Sequence, residues 1–462
     1  MSKMNDKLFG TDGIRGIANI EPMTAETALK LGRAAAYVFA IVGCSGRPNP
    51  KRKRRSIVLG RDTRISGYML ESAVISGITS LGVDVLLVGT LPTPGVAYIT
   101  RFLQADAGIV LSASHNPYKD NGIKFFRYDG YKLDSSTEAC IERFVFLGTG
   151  PLRPTASDIG RVIIVHDALT RYIEHATRSF PCSYTLEQLR IVIDCANGAA
   201  YQSSPSILRA LGAHLHILHD SPNGININKN SGSNCPEAIQ KIVLKARAHI
   251  GVAHDGDADR VLFCDEKGDL LDGDEVMAIV ALDLLHNHLL AKKTLVATIM
   301  SNIGLDEMIQ QHGGKVIRTK VGDRHLIEAM LRNGLNVGGE QSGHLIFRDY
   351  TTTGDGIISA LQVFRIMIAS GKPLSELKRC LEKYTQVQRH LKVRRKPPID
   401  SLVEVQTLIE DAQIALKDKG RVLLRYSGTE SKVRLLVEGH NELQVSEIAQ
   451  RIADALYSAI GA

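Results

Sequence analysis

The sequence predicts an α/β fold made of several layered units and closed by a smaller α+β unit. Three observations predict it. Short β-branched apolar runs alternate with helix-period segments through almost the whole chain, the pattern of α/β layers with mostly parallel sheets. With 462 residues the chain has room for roughly three domains of about 150 residues each. A stretch rich in Gly, Pro and Thr at 148–158 reads as a linker that closes the first unit.

The elements follow in chain order. The apolar stretch 34–42 is too short to span a bilayer and reads as one side of a buried helix. A strand is expected at 57–59, then a helix over 66–81 with Ser66 as its cap, then strands at 83–88 and 107–111. The second unit holds strands at 191–193 and 215–218, and a helix over 236–248 that feeds the apolar run 250–253. The third holds a helix over 275–290 and strands at 295–299, 315–317 and 336–337. From about Gln386 the pattern changes to a strand, a helix over 401–417, two strands around 427–429 and a closing helix over 441–460. These shifts place domain boundaries at 1–158, 159–268, 269–384 and 385–462.

Bulk properties narrow the functional classes. Hydrophobic residues make up 44% and charged residues 23%, ordinary for a soluble globular protein. The N-terminal residues lack an apolar h-region, so no signal peptide is expected. Seven scattered cysteines with no Cys-x-x-Cys read as reduced thiols in a cytoplasmic enzyme. The formal charge is +7, but Arg47 and the run from Lys51 to Arg55 supply six positive charges with no acid among them. Without this basic insert at 44–55 the body is near neutral. The insert reads as a surface loop, and it has no aromatic residue to stack a base, which disfavours nucleic acid as a partner.

Four segments carry chemistry. The first is Ser112-Ala113-Ser114-His115-Asn116-Pro117, a polar loop that runs on to Gly122 and follows the buried strand at 107–111. A serine hydroxyl at the carboxyl end of such a strand, with His115 and Lys124 close in sequence, stands where open α/β sheets hold ligands. Taken alone, a plain Ser/Asn/Pro turn explains it as well. The second is Asp255-Gly256-Asp257-Ala258-Asp259-Arg260, set between two apolar runs. Three like charges at alternate positions persist most easily around a cation, and oxygen ligands without Cys or His favour Mg²⁺ or Ca²⁺ over zinc. An EF-hand is excluded, because Arg260 stands where that loop needs glycine. Mg²⁺ completed by a phosphate oxygen fits better.

The third segment is Gly338-Gly339-Glu340-Gln341-Ser342-Gly343-His344. On an extended backbone Glu340, Ser342 and His344 share a side, suited to sugar hydroxyls, although a solvated strand-end turn fits equally. The fourth is Arg425-Tyr426-Ser427-Gly428-Thr429-Glu430, with Arg434 nearby. Arginine, two hydroxyls and glycine N–H groups suit a phosphate, although Ser-Gly-Thr between strands also suits a hairpin.

Together with Leu8-Phe9-Gly10-Thr11-Asp12-Gly13-Ile14-Arg15-Gly16, these segments resemble the α-D-phosphohexomutases over nearly the whole chain and in the same order. The opening motif and the Glu-Gln-Ser-Gly-His form resemble the phosphoglucosamine mutase branch most. The resemblance implies three similar mixed-sheet α/β domains and a smaller α+β C-terminal domain around a central cleft. It implies that Ser114 carries a phosphoryl group as phosphoserine. It implies that Mg²⁺ joins it to Asp255, Asp257 and Asp259. It also implies interconversion of glucosamine 6-phosphate and glucosamine 1-phosphate, a step toward UDP-N-acetylglucosamine and the cell wall. Glu340 and Ser342 then face the sugar and Arg425, Ser427, Gly428 and Thr429 the phosphate, and by their places in the sequence His344 is expected to join the first set and Arg434 the second. Tyr426, Ser431 and the basic insert depart from the family pattern.

In this reading phosphoserine donates to one sugar hydroxyl, a sugar 1,6-bisphosphate turns over, and the serine reclaims the other phosphate. Arg15, Lys124 and Arg260 are the expected counter-charges, and Lys124 or His115 relays the hydroxyl proton. The expected partners are a hexosamine phosphate, a priming bisphosphate or activating kinase, and a second copy in a homodimer, with no membrane. The rival readings are a phosphoglucomutase/phosphomannomutase, a phosphatase on the same metal site, and a nucleic-acid-binding protein using Arg47 to Arg55.

Overall fold

The computed structural model describes residues 7–10, 12–43, 54–427 and 431–462. The chain divides into two compact units, one of Met1–Met300 with Gly314–Arg379 and one of Ser301–Gly313 with Cys380–Ala462.

The larger unit holds three mixed sheets. In the first, the strands lie in the order Ile14–Ile17, Asp120–Arg127, Ala107–Leu111, Ser56–Arg61, Asp84–Thr90, Val162–Ile164. The last four are mutually parallel, and Asp120–Arg127 returns antiparallel beside Ala107–Leu111. The second sheet runs Leu270–Leu271, Val261–Asp265, Ile250–His254, Arg190–Asp194, His214–Leu218. The third runs Lys315–Thr319, Thr294–Thr298, Val337–Gly339, Leu345–Phe347.

One plan repeats in all three. A parallel strand is followed by a short loop and then by an antiparallel return strand. Ala107–Leu111 returns as Asp120–Arg127, Ile250–His254 as Val261–Asp265, and Val337–Gly339 as Leu345–Phe347. The Ser114 loop, the Asp255 loop and the Glu340 loop are those three connections. A hairpin connection holds its loop at both ends by ladder hydrogen bonds, which suits a loop that must keep a fixed geometry.

The smaller unit carries a three-stranded antiparallel sheet, Thr385–Lys392, Lys432–Gly439, Gly420–Tyr426, covered by helices Val403–Leu416 and Glu442–Ile460. The helix Gly304–Gln311 belongs to it. Glu438, fully buried, accepts from Arg421 Nε (2.6 Å), Gln386 Nε2 (3.0 Å) and Ile303 N (2.8 Å), so the charge is both paired and hydrogen-bonded.

Several boundaries differ from expectation for local reasons. Ser66 is not a cap. It is the first residue of the helix Ser66–Thr79, and its hydroxyl accepts from Asn121 Nδ2 at 2.8 Å. The apolar stretch at 34–42 is the end of the helix Ala25–Ala36 continued by a π-helical turn, Tyr37–Val42. The helix expected over 275–290 is Gly273–His286, because Asp272 and Glu275 form a capping box ahead of it. Gly122 lies inside a strand, not in the loop before it. Val162–Ile164, beyond the boundary expected at 158, pairs with Asp84–Thr90 in the first sheet. Among the described residues no single helix is long and apolar enough to cross a membrane. No disulfide joins the described cysteines.

The buried helix Gly356–Ser370 starts at Asp355, whose carboxylate accepts from Ile357 N (2.9 Å), Ile358 N (3.0 Å) and Tyr172 Oη (2.9 Å). Burial pushes this carboxyl up from 3.8 to about 6 despite those donors. Between the two values the folded state holds a proton that the unfolded state has lost, so stability falls as pH rises through that window. Asp355→Asn keeps an acceptor for the cap and for Tyr172 but carries no charge. Urea unfolding at pH values spanning 3.8 to about 6 is expected to show a flatter decline for Asp355→Asn than for the parent. Parallel declines would remove Asp355 as the cause.

Candidate active site

The site in the larger unit starts from backbone geometry. Ser114 is fully buried and has φ 50°, the left-handed region that side chains other than glycine rarely adopt. Its N–H donates to Ser112 Oγ at 2.9 Å, and Ser112 Oγ donates to Asp62 Oδ2 at 2.7 Å. Its carbonyl accepts from Arg64 Nη2 (2.9 Å) and Asn228 Nδ2 (2.8 Å). With the peptide held on both sides, Oγ donates to Asp255 Oδ2 at 2.5 Å. His115 is half-buried, with Nδ1 3.5 Å from Ser114 Oγ, and burial, then Arg260 and Arg15, pull its pKa down to about 4.

Asp255, Asp257 and Asp259 are all buried and offer oxygens within 4.8 Å of one another. Among the described residues no other group of His, Cys, Asp and Glu has metal-holding geometry. Burial and the charges of Asp259 and Asp257 push Asp255 well above the carboxylate range. Thr93 Oγ1 donates to Asp257 Oδ2 at 2.5 Å. Asp257 Oδ1 and Asp259 Oδ1 are buried without a hydrogen-bond partner. Orphaned carboxylate oxygens converging with a hydroxyl are a hard-oxygen donor set, and they fit a divalent cation.

The expected counter-charges come from different elements to the same carboxylates and the Ser114 loop. Lys124 Nζ, buried, lies 2.8 Å from Asp257 Oδ2, 3.4 Å from Asp259 Oδ2 and 3.2 Å from Asp12 Oδ2. Burial alone would favour the neutral amine, but Asp12, Asp257 and Asp259 outweigh it and hold the ammonium charged. Arg15 donates to Ala113 O at 3.3 Å and pairs with Asp12, and Arg260 Nε lies 3.8 Å from Asp259 Oδ1. Asp12 also pairs with Lys132, which pairs in turn with Asp323.

The Glu340 loop corrects one expectation. Glu340, Ser342 and His344 do not alternate along an extended strand, because residues 341–343 turn and Gly343 has φ 85°. Glu340 accepts from Gly322 N at 2.9 Å and from Ser342 Oγ at 3.3 Å. Ser342 is exposed. His344 is buried, with Nδ1 3.9 Å from Asp259 Oδ2 and Nε2 3.9 Å from Asp323 Oδ2. Gly343 serves packing rather than ligand approach, since a Cβ there would sit 2.2 Å from Val261 O.

The smaller unit carries the fourth segment. Arg425 lies opposite Arg434 in the strand register, and burial together with the Arg434 charge lowers the Arg425 pKa. Ser427 is buried, with its carbonyl accepting from Lys396 Nζ at 2.7 Å. Two guanidinium groups facing across a ladder suit an anion. Gly428 and Thr429, with most of the basic insert (44–53), lie outside the described residues. Sequence reasoning missed Asp62, Arg64, Thr93, Asn228, Asp323 and Lys396, all far in sequence from the loops they touch.

Four family models match the chain in order. They describe the phosphoglucomutase/phosphomannomutase α/β/α domains I, II and III and the C-terminal domain, at residues 6–149, 170–268, 272–384 and 379–455. The chain belongs to the phosphoglucomutase/phosphomannomutase family. Members of this family close to it include a phosphoglucosamine mutase from Syntrophotalea carbinolica, 50% identical over 99% of both chains. Another, from Myxococcus xanthus, is 51% identical over 99% of this chain and 98% of its own. The family fold recurs in a Burkholderia thailandensis family protein, with TM-score 0.79, 22% identity and coverage of 98% of this chain and 97% of that one. It recurs in Aspergillus fumigatus N-acetylphosphoglucosamine mutase, solved with GlcNAc-6P and magnesium, with TM-score 0.66, 18% identity and coverage of 98% and 96%. The chain is thus a phosphohexomutase, an isomerase that moves phosphoryl groups.

The approach of two loops gives a direct test. A Cβ on Gly256 would lie 2.6 Å from Ser114 O and 2.8 Å from Asn228 Nδ2, so the Asp255 loop meets the Ser114 loop through bare backbone. Gly256→Ala is expected to push the loops apart and lower kcat by about 100-fold with the fold retained by circular dichroism. Unchanged kcat would mean that this contact does not set the site.

Proposed function

We propose that the protein interconverts glucosamine 6-phosphate and glucosamine 1-phosphate through phosphoserine at position 114 and a glucosamine 1,6-bisphosphate. The observation that carries this reading is Ser114 Oγ at 2.5 Å from Asp255, one of three buried carboxylates with orphaned oxygens around it. Close relatives that are phosphoglucosamine mutases over the full length support the choice of sugar.

The reaction needs one donor that serves both ends of a sugar. A sugar hydroxyl attacks the Ser114 phosphoryl, the new P–O bond forms and the bond to Oγ breaks. The bisphosphate then presents its other phosphate, and Oγ reclaims it. Asp255, Asp257 and Asp259 are the residues that would hold Mg²⁺, and the ion would supply positive charge against the phosphoryl oxygens. Arg15, Lys124 and Arg260 add fixed positive charge around Ser114, where charge spreads over the transferring oxygens. His115, with Nδ1 3.5 Å from Ser114 Oγ, carries the hydroxyl proton, and Lys124 is the alternative. Glu340, Ser342 and His344 bind the sugar, and Arg425, Ser427, Gly428, Thr429 and Arg434 bind phosphate. A bisphosphate or a kinase primes the serine.

Side-by-side turnover of glucosamine 6-phosphate and glucose 6-phosphate by the primed protein tests the reading. It is expected to give the higher kcat/KM for glucosamine 6-phosphate, and equal or reversed values would move the protein to the phosphoglucomutase/phosphomannomutase branch. Ser114→Ala and exhaustive chelation of divalent metal are each expected to abolish turnover. Full turnover in either condition would end the phosphoserine–metal account.

A further inference from the structure

The loop that carries Ser114 is organised by a buried arginine from the loop that follows the strand Ser56–Arg61. Arg64 is a large side chain with no solvent exposure. All five of its side-chain N–H donors are used. Nε donates to Asp62 Oδ2 at 2.8 Å. Nη1 donates to the carbonyls of Pro117 (2.5 Å) and Asp120 (3.2 Å), and Nη2 to those of Ser114 (2.9 Å) and Asn116 (2.9 Å). Four carbonyls of one loop therefore converge on one planar cation.

The sheet explains how Arg64 arrives there. Ser56–Arg61 lies parallel to Ala107–Leu111, with Arg61 beside Leu111, so the residues after each strand leave at the same edge. Asp62 N donates to Leu111 O at 3.0 Å, and Asp62 Oδ1 accepts from Arg64 N at 2.9 Å. Asp62 Oδ2 takes both Arg64 Nε and Ser112 Oγ, and Ser112 Oγ takes the Ser114 N–H. The same Asp62–Arg64 pair thus fixes the N–H of Ser114 through Ser112 and its C=O directly. Thr63 Oγ1 donates to Asn197 O at 2.6 Å and Ile65 N to Gly224 O at 2.9 Å, which anchor the flanks of Arg64 to loops of the second sheet.

We infer that Arg64 is the positioning residue of the phosphoryl-carrying serine: by gathering the loop carbonyls on one side, it holds Ser114 left-handed and leaves Oγ facing the aspartate triad. None of these Arg64 hydrogen bonds reaches Asp255, Asp257 or Asp259. It acts through Ser114, and the inference rests on the reading of Ser114 given above. A lysine cannot replace it, since an ammonium has three donors at a point and no fork to span four carbonyls.

Arg64→Lys, Arg64→Ala and Ser114→Ala test the inference in one assay with Mg²⁺ and a priming bisphosphate. Arg64→Lys is expected to lower kcat by about 100-fold with KM for the sugar phosphate unchanged. Amide hydrogen exchange is expected to quicken at 112–122 and nowhere else. Guanidinium added to Arg64→Ala is expected to restore part of the lost kcat, and methylammonium to restore none. Parent-like kcat in Arg64→Lys, or exchange that quickens throughout the larger unit, would overturn the inference. Should Arg64→Ala fail to fold, Asn228→Ala replaces it. That variant removes the second donor to the Ser114 carbonyl, and it is expected to quicken exchange in the same loop. If it leaves both exchange and kcat at parent values, the inference falls. Ser114→Ala separates the two levels. Its full activity would sink the phosphoserine reading, whereas its inactivity beside an unimpaired Arg64→Lys would sink only the role of Arg64.

Discussion

Three buried carboxylates with oxygens within 4.8 Å of one another are the constraint to which the surrounding structure answers. Like charges in so small a space raise one another's proton affinity unless cations sit among them. The chain supplies Lys124 inside the cluster and Arg260 and Arg15 at its margin, while Asp12 balances Lys124 and Lys132 from the other side. Asp257 Oδ1 and Asp259 Oδ1 still lack a hydrogen-bond partner. The Ser114 hydroxyl enters this field at hydrogen-bond distance, which suits the phosphoryl-carrying role proposed for it.

The fold delivers the parts by repetition. Each of the three mixed sheets ends a parallel strand in one of the candidate loops and brings the chain back antiparallel, so each loop is tied at both ends. Close backbone approaches join the loops to one another. Gly256 faces Ser114 O, Gly343 faces Val261 O, and Thr93 N donates to Asp257 O at 3.0 Å. Side chains at the two glycine positions would prise those loops apart. The smaller unit repeats the hairpin idea with Gly420–Tyr426 and Lys432–Gly439 around its own arginine pair.

Much of this was readable from the sequence because it is local there. Ser114 and the aspartate triplet announce themselves by polar loops set between apolar runs, and the alternation of strands and helices follows from short-range pattern. What was not readable depends on tertiary register. Asp62 and Arg64 look like a solvated loop until the parallel pairing of Ser56–Arg61 with Ala107–Leu111 sets them beside Ser112. Asn228 reaches the site from a loop of the second sheet, and Asp323 from the first turn of the helix Asp323–Asn333. The alternation read into Glu340, Ser342 and His344 failed because a glycine at φ 85° turns the chain, so that His344 is buried beside Asp259 while Ser342 stays in solvent. Ser66 failed as a cap because Ile65 already has helical φ and ψ and makes no side-chain cap, leaving the serine free to accept from Asn121.

The central claim is that Oγ of Ser114 receives and gives a phosphoryl group. Peptide mass spectrometry of the protein after brief incubation with glucosamine 1,6-bisphosphate carrying ¹⁸O in its phosphates, followed by a chase with excess unlabelled glucosamine 6-phosphate, tests it most directly. The account predicts one added phosphoryl group, confined to Ser114, whose label is replaced during the chase at the rate of turnover while the serine stays phosphorylated. A phosphoryl group on any other residue, or steady turnover with Ser114 never modified, would contradict it.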